Sequence, residues 1–198
     1  MTDEGYRVSR ETDAEIQKYI DQLIKWNAAI RLTSDGFAKR LRDCYRVQCN
    51  FLNEISWDGA VWIDIGSGSG VPGILVAITQ PHLGKLYLIE SDTRKCAFLR
   101  SVKRELKLKY LVVNERAEDV ELLKADIVSA RAVAPLSVLL DLAYPLITAE
   151  GICVFIKGSS WHTEHYEAKR TWNYDLEVRQ IDDDGTVILK IADIERRT

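Results

Sequence analysis

The sequence predicts one α/β domain: a mainly parallel sheet covered on both faces, closed by a terminal antiparallel hairpin and preceded by two helices. Three observations carry this. Short apolar runs alternate with helical stretches from residue 60 onward, the first run ends in a glycine-rich turn, and the tail abandons that rhythm for two β-type runs around Asp182-Asp183-Asp184-Gly185. At 198 residues the chain is long enough for one sizeable core and little more.

Taken in order, residues 11–30 place Ile16, Tyr19, Ile20, Leu23, Ile24 and Trp26 at helical spacing. Residues 36–55 do the same with Phe37, Leu41, Tyr45, Phe51, Leu52 and Ile55, which predicts two amphipathic helices. Residues 1–57 are therefore expected to form an N-terminal helical appendage and 58–198 the core, within a single domain spanning 1–198. The run Ala60-Val61-Trp62-Ile63 opens the sheet, and the next helix carries Ile74, Leu75, Val76 and Ile78. A second strand is expected at 86–89, then a helix at 92–108 with Asp92 as N-cap and Ala97, Phe98, Leu99, Val102 and Leu106 facing inward. Strands at 111–113, 127–130 and 152–156 alternate with helices near 118–124 and 136–147. After a helix near 163–173, runs at 176–181 and 186–194 flank the turn as a hairpin.

Composition narrows the function. With 46% hydrophobic and 29% charged residues the chain is an ordinary globular one. No apolar run reaches membrane-spanning length, and Met1-Thr2-Asp3-Glu4 begins neither a basic nor an apolar leader, so a cytoplasmic protein away from membranes is expected. Cys44, Cys49, Cys96 and Cys153 lack metal or redox spacing and read as reduced packing residues. His162-x-x-His165 has no third ligand nearby, so no metal is expected. A net charge of −3 argues against indiscriminate nucleic-acid binding. Arg94, Lys95, Arg100, Lys103, Arg104, Lys107 and Lys109 fall on one predicted helix and its exit, where charge alone favours an ordinary solvated face.

The segment Asp64-Ile65-Gly66-Ser67-Gly68-Ser69-Gly70-Val71-Pro72-Gly73 joins the first strand to the next helix. In an open α/β sheet ligands bind there, beyond the strand's carboxyl end and against a helix N-terminus. Gly68 to Gly73 satisfies G-x-G-x-x-G, which leaves a nicotinamide dinucleotide as an alternative. Asp64 tilts the balance, because a carboxylate repels a pyrophosphate and attracts the ammonium and sulfonium of S-adenosylmethionine. The hairpin tail agrees, since a parallel sheet so closed is the arrangement expected of the Rossmann-like class I methyltransferase core. Glu90, after the second strand, is placed to accept hydrogen bonds from ribose hydroxyls. Ser91 is counted with the site, although capping the next helix explains it as well. Ala117-Glu118, after the third strand, can flank an adenine ring, and a plain loop accounts for them nearly as well.

The chain resembles the glucose-inhibited division protein B family, bacterial methyltransferases of guanine N7 in small-subunit ribosomal RNA, over roughly residues 15–194. The carriers are Lys25-Trp26-Asn27 with Leu32-Thr33-Ser34, the loop Asp64 to Gly73, Glu90-Ser91-Asp92 with Arg94-Lys95 and Phe98-Leu99-Arg100, Ala117-Glu118, Ser129-Ala130-Arg131-Ala132 with Ala134-Pro135-Leu136, and Lys157-Gly158. The resemblance implies a cofactor site that includes Gly66, Val71, Ala117, Glu118 and Arg131, with Asp64, Gly68, Glu90 and Ser91 added from the residues themselves. It also implies that Arg116, Arg131 and Lys157 stand near the RNA or the reacting centre. The chain departs from the family where members carry His-Ile-Leu-Asp-Ser and this one has Asp43-Cys44-Tyr45-Arg46-Val47. The expected donor is S-adenosylmethionine, the expected partner ribosomal RNA or the small subunit, and the expected state a monomer. A methyltransferase of another substrate, or a non-catalytic RNA-binding or assembly module, are the alternatives.

Overall fold

A computed structural model describes residues 8–34, 36–55, 58–121 and 124–197. Two helices lead, α1 (Arg10–Asn27) and α2 (Phe37–Ile55). The core then alternates: β1 (Val61–Ile65), α3 (Gly73–Thr79), β2 (Lys85–Ile89), α4 (Thr93–Glu105), β3 (Leu111–Val113), a 3-10 turn (Ala117–Asp119), β4 (Ala125–Arg131), α5 (Leu136–Ala143), β5 (Ile147–Lys157) and α6 (Trp161–Ala168). The tail supplies β6 (Trp172–Gln180) and β7 (Val187–Arg196). The seven strands lie in the order β3-β2-β1-β4-β5-β7-β6. The first five run parallel, β7 is antiparallel to β5, and β6 to β7.

Strand alternation sends Trp62 of β1 and Ile127 of β4 to one face and Ile63 and Val128 to the other. On the first face they meet α1 to α4, and on the second α5, α6 and Trp172 and Tyr174 of the hairpin. The two N-terminal helices, expected as an appendage, thus share one hydrophobic cluster with the sheet: Ile16, Tyr19 and Leu23 of α1 and Tyr45, Phe51 and Leu52 of α2 are buried with Trp62 and Phe98. Asn27 closes the turn after α1 by accepting from Leu32 N and Thr33 N, each at 2.9 Å, which is the physical work of the Lys-Trp-Asn and Leu-Thr-Ser elements.

Several boundaries differ from expectation. The helix expected at 118–124 is a single 3-10 turn, and residues 122 and 123 lie outside the described set. The helix expected to reach 147 stops at Ala143, because Pro145 has no N–H to donate to the helix ladder. The helix expected at 163–173 runs Trp161–Ala168, and β6 begins at Trp172, where Trp172 and Tyr174 are buried while Asn173 and Asp175 are exposed.

Candidate active site

Every strand that carries a site residue points its carboxyl end toward the same edge of the sheet. The loop after β1 crosses that edge with Gly66 at φ +61°. A Cβ there would stand 2.6 Å from Val133 Cγ2, so this position needs glycine for conformation and for space. Gly73, opening α3, would place a Cβ 2.8 Å from Asp64 Oδ2, and its lack of one lets the helix sit against β1. Tyr19 of α1 donates to Ser69 O at 2.6 Å and ties the first helix to the loop.

Glu90 holds the neighbouring loops together. Its Oε2 accepts from Gly68 N at 3.0 Å and its Oε1 from Asp92 N at 2.8 Å. Asp92 in turn caps α4, accepting from Arg94 N at 2.8 Å. A carboxylate offers about four acceptor positions, so Glu90 keeps capacity for a ligand's hydroxyls. Gly66, Glu90, Ser91, Arg116, Ala117 and Glu118 line one groove of about 100 Å³, together with Val133 and Leu142.

A second cavity of about 230 Å³ opens between α2, the ends of β4 and β5, and the hairpin turn. Arg131, Ala132 and Lys157 line it with Phe37, Arg40 and Gln48. Ala132 has φ +53°, which costs a non-glycine residue roughly 1–2 kcal/mol. The kink divides the end of β4, with Arg131 and Ala132 facing the second cavity and Val133 the groove. The guanidinium of Arg131 donates to Ser69 Oγ at 2.7 Å and lies 3.8 Å from the centre of the Phe37 ring. Its Nε is buried with no hydrogen-bond partner among the described residues. Burial pulls the Arg131 pKa below the ordinary guanidinium range.

Asp64, whose carboxylate the sequence places at the end of the first strand as an attraction for a cationic ligand, is fully buried beneath the loop, on the face it shares with Trp62 and Ser129. Trp62 Nε1 donates to Ser129 Oγ at 2.9 Å, and Ser129 Oγ donates to Asp64 Oδ1 at 2.7 Å. The other oxygen, Oδ2, has no hydrogen-bond partner among the described residues. Burial, opposed by the bond from Ser129, raises the Asp64 pKa to about 6. Val71, within the same loop, is likewise buried and lines neither cavity.

Two further placements separate residues that the resemblance grouped. Arg116 is exposed on the groove's rim and does not join Arg131 and Lys157 in the second cavity. Lys157 reaches that cavity with its ammonium engaged, 2.6 Å from Glu164 Oε2 and donating to Ala134 O at 2.8 Å. Glu164 also accepts from Leu136 N, the first residue of α5, so the pair fastens α5 and α6 to the end of β5. At 43–47, Tyr45 hydrogen-bonds Asp13, Arg46 pairs with Asp13 at 2.8 Å, and Cys44 lines the second cavity. Sequence reasoning missed Val133, Leu142, Phe37 and Gln48. No motif announces them, since their place follows from the kink at Ala132 and from the seating of α2 over the sheet.

The residues present fit an adenosyl sulfonium donor. A glycine at 66 leaves a floor that a Cβ would fill, Glu90 has free acceptor positions, and a buried carboxylate oxygen of Asp64 lies unpaired beneath. The family model described as rRNA small subunit methyltransferase G matches residues 12–185. A ribosomal RNA small subunit methyltransferase G of Gluconobacter oxydans is 38% identical over 190 residues, covering 96% of this chain and 97% of that one. Its counterpart in Ruegeria sp. (strain TM1040) is 36% identical over 198 residues, covering 96% and 94%. Among solved structures, a ribosomal protein L11 methylase from Lactobacillus delbrueckii superposes with a TM-score of 0.60 at 15% identity, covering 79% of this chain and 80% of that one. M. jannaschii TYW2 in complex with AdoMet gives 0.56 at 21% identity, covering 77% and 76%. At those identities the likeness speaks for the fold, that of class I methyltransferases. With a family model spanning most of its length and relatives matched nearly end to end, the chain belongs to the rRNA small subunit methyltransferase G family.

Proposed function

We propose that this protein transfers the methyl group of S-adenosylmethionine to N7 of a guanine in small-subunit ribosomal RNA, acting as a monomer in the cytoplasm. None of the described helices is long and apolar enough to cross a membrane. One observation carries the reading: two cavities meet at the segment 131–133, one edged by Glu90 and Glu118, the other holding the guanidinium of Arg131. The first suits the adenosyl donor and the second a base with its phosphates.

Bound in the groove, the donor supplies an electrophilic methyl on a sulfonium. Guanine N7 carries an unprotonated lone pair in the ring plane, so no general base is required. The protein's work is alignment and exclusion of water, a contribution of several kcal/mol by order of magnitude. Glu90 orients the ribose, with Ser91 and the Ala117-Glu118 turn beside it. Arg131, held in place by Ser69 and Phe37, brings the charge of its guanidinium to guanine O6 or a phosphate. Lys157 positions the cavity wall through Glu164 and Ala134. Asp64 offsets the positive charge gathered above it.

Calorimetry with S-adenosylmethionine and with NAD tests the groove, and transfer of labelled methyl to small subunits from cells lacking the protein tests the reaction. Binding of the first ligand alone and label in the RNA are expected. Binding of NAD, or label in no RNA, would overturn the proposal.

A further inference from the structure

We propose that the outer face of α4 and its exit form a second RNA contact, a phosphate-binding surface separate from both cavities. It rests on RNA being the substrate. Residues 94–109 contain seven Lys and Arg against the single carboxylate Glu105, a formal +6 in a chain of net −3, so the remaining residues carry −9. Such an excess of cations on one element of an otherwise acidic chain favours contact with a polyanion there.

The cations are arranged as well as concentrated. Arg100 and Arg104 are exposed one turn apart on the face opposite the buried Phe98, Leu99 and Val102. Neither they nor Lys107 and Lys109 form an ion pair with a described residue. Like charges at this spacing oppose the helix, an effect that a bound phosphate reverses. Lys107 ends the helix at φ +54°, a conformation that glycine or asparagine adopts more readily. With Lys109 and Lys85 it lines a hollow of about 280 Å³. The favourable field of a helix C-terminus accounts for cations in the last turn but not for Arg100 or for Lys85 on another element.

The strip is continuous with the cofactor edge, because Ser91 and Arg116 line the groove and Asp92 begins the helix. At about 1.5 Å per residue, Arg100 stands roughly 12 Å down the axis from Asp92. Phosphates held there belong to nucleotides flanking the reacting guanine.

The test uses the full chain and the triple variant Arg100→Gln, Arg104→Gln, Lys109→Gln, with Lys18→Gln as an exposed control on α1. Affinity for small-subunit rRNA is measured across a salt titration, beside affinity for S-adenosylmethionine. Loss of three phosphate contacts lowers the slope of log affinity against log salt by about 2 to 3 and weakens binding roughly 30- to 100-fold near physiological salt. Cofactor affinity and melting temperature stay at wild-type values, and Lys18→Gln leaves the slope unchanged. A triple variant with the wild-type slope, while the wild-type protein methylates the RNA, would overturn this surface alone. Failure of the wild-type protein to methylate would overturn the proposed function and this surface together.

Discussion

Replacing Gly66 with alanine tests the groove at its floor. Alanine at φ +61° costs roughly 1–2 kcal/mol in backbone strain. Its Cβ would meet Val133 Cγ2 at 2.6 Å, and relieving that overlap adds about 1–3 kcal/mol. For a domain of this size the sum lowers the melting temperature by roughly 4–20 °C. Because Val133 lines the same groove, the displaced side chain narrows it, and calorimetric affinity for S-adenosylmethionine falls at least about tenfold, on the order of 1.4 kcal/mol. The double variant Gly66→Ala, Val133→Ala separates the two contributions, since removing the valine methyls leaves only the strain. In the Val133→Ala background the alanine at 66 should therefore cost only the strain, roughly 1–2 kcal/mol, a coupling of about 1–3 kcal/mol. Equal losses in both backgrounds, or unchanged cofactor affinity in the single variant, would refute the packing described here.

Other expectations follow from the same geometry. Burial raises Asp64 from an ordinary 3.8 to about 6, so the folded state binds this proton more tightly than the unfolded state does. Its stabilising contribution is full below about pH 4 and is lost as pH rises through 6, by roughly 3 kcal/mol. Against Asp64→Asn, wild-type stability should fall over that window, and parallel profiles would contradict it. Arg131→Ala loses the bond to Ser69 and the stack on Phe37, about 1–3 kcal/mol of stability, without unfolding. Its turnover in a methyl-transfer assay should drop on the order of 100-fold at near-normal cofactor affinity, and normal turnover would remove the residue from the mechanism. Lys157→Met removes the ammonium from Glu164 and should cost about 1–3 kcal/mol, whereas Lys157→Met with Glu164→Gln, which keeps an acceptor for Leu136 N, should restore most of it. If that folded double variant loses RNA affinity in a binding assay, Lys157 contacts the RNA instead of positioning the wall.

Much of this arrangement is legible in the residues. Asp92 announces α4, and Glu90 stands where a strand-end carboxylate should. The apolar stretches within β1, β2 and β4, Val61-Trp62-Ile63, Leu86 to Ile89 and Ile127-Val128, call for a sheet covered on both faces. Charge reasoning alone does not place Asp64: strand alternation assigns it to the face of Trp62, under helices, where it is fully buried. The ends of α5 and α6 were overrun because apolar residues continue past Pro145 and into Trp172, where period 3.6 gives way to period 2. The kink at Ala132 leaves no local trace. An alanine takes positive φ only when tertiary contacts compel it, so the division of β4 between two cavities had to be seen in three dimensions.

The central claim is tested most directly by mapping methylated bases in small-subunit rRNA from wild-type cells, from cells lacking this protein, and from the latter supplied with the Arg131→Ala variant. The account predicts one N7-methylguanine that is present in the first and absent from the other two. A modification pattern identical in all three, or a lost methyl group that maps to an atom other than guanine N7, would contradict it.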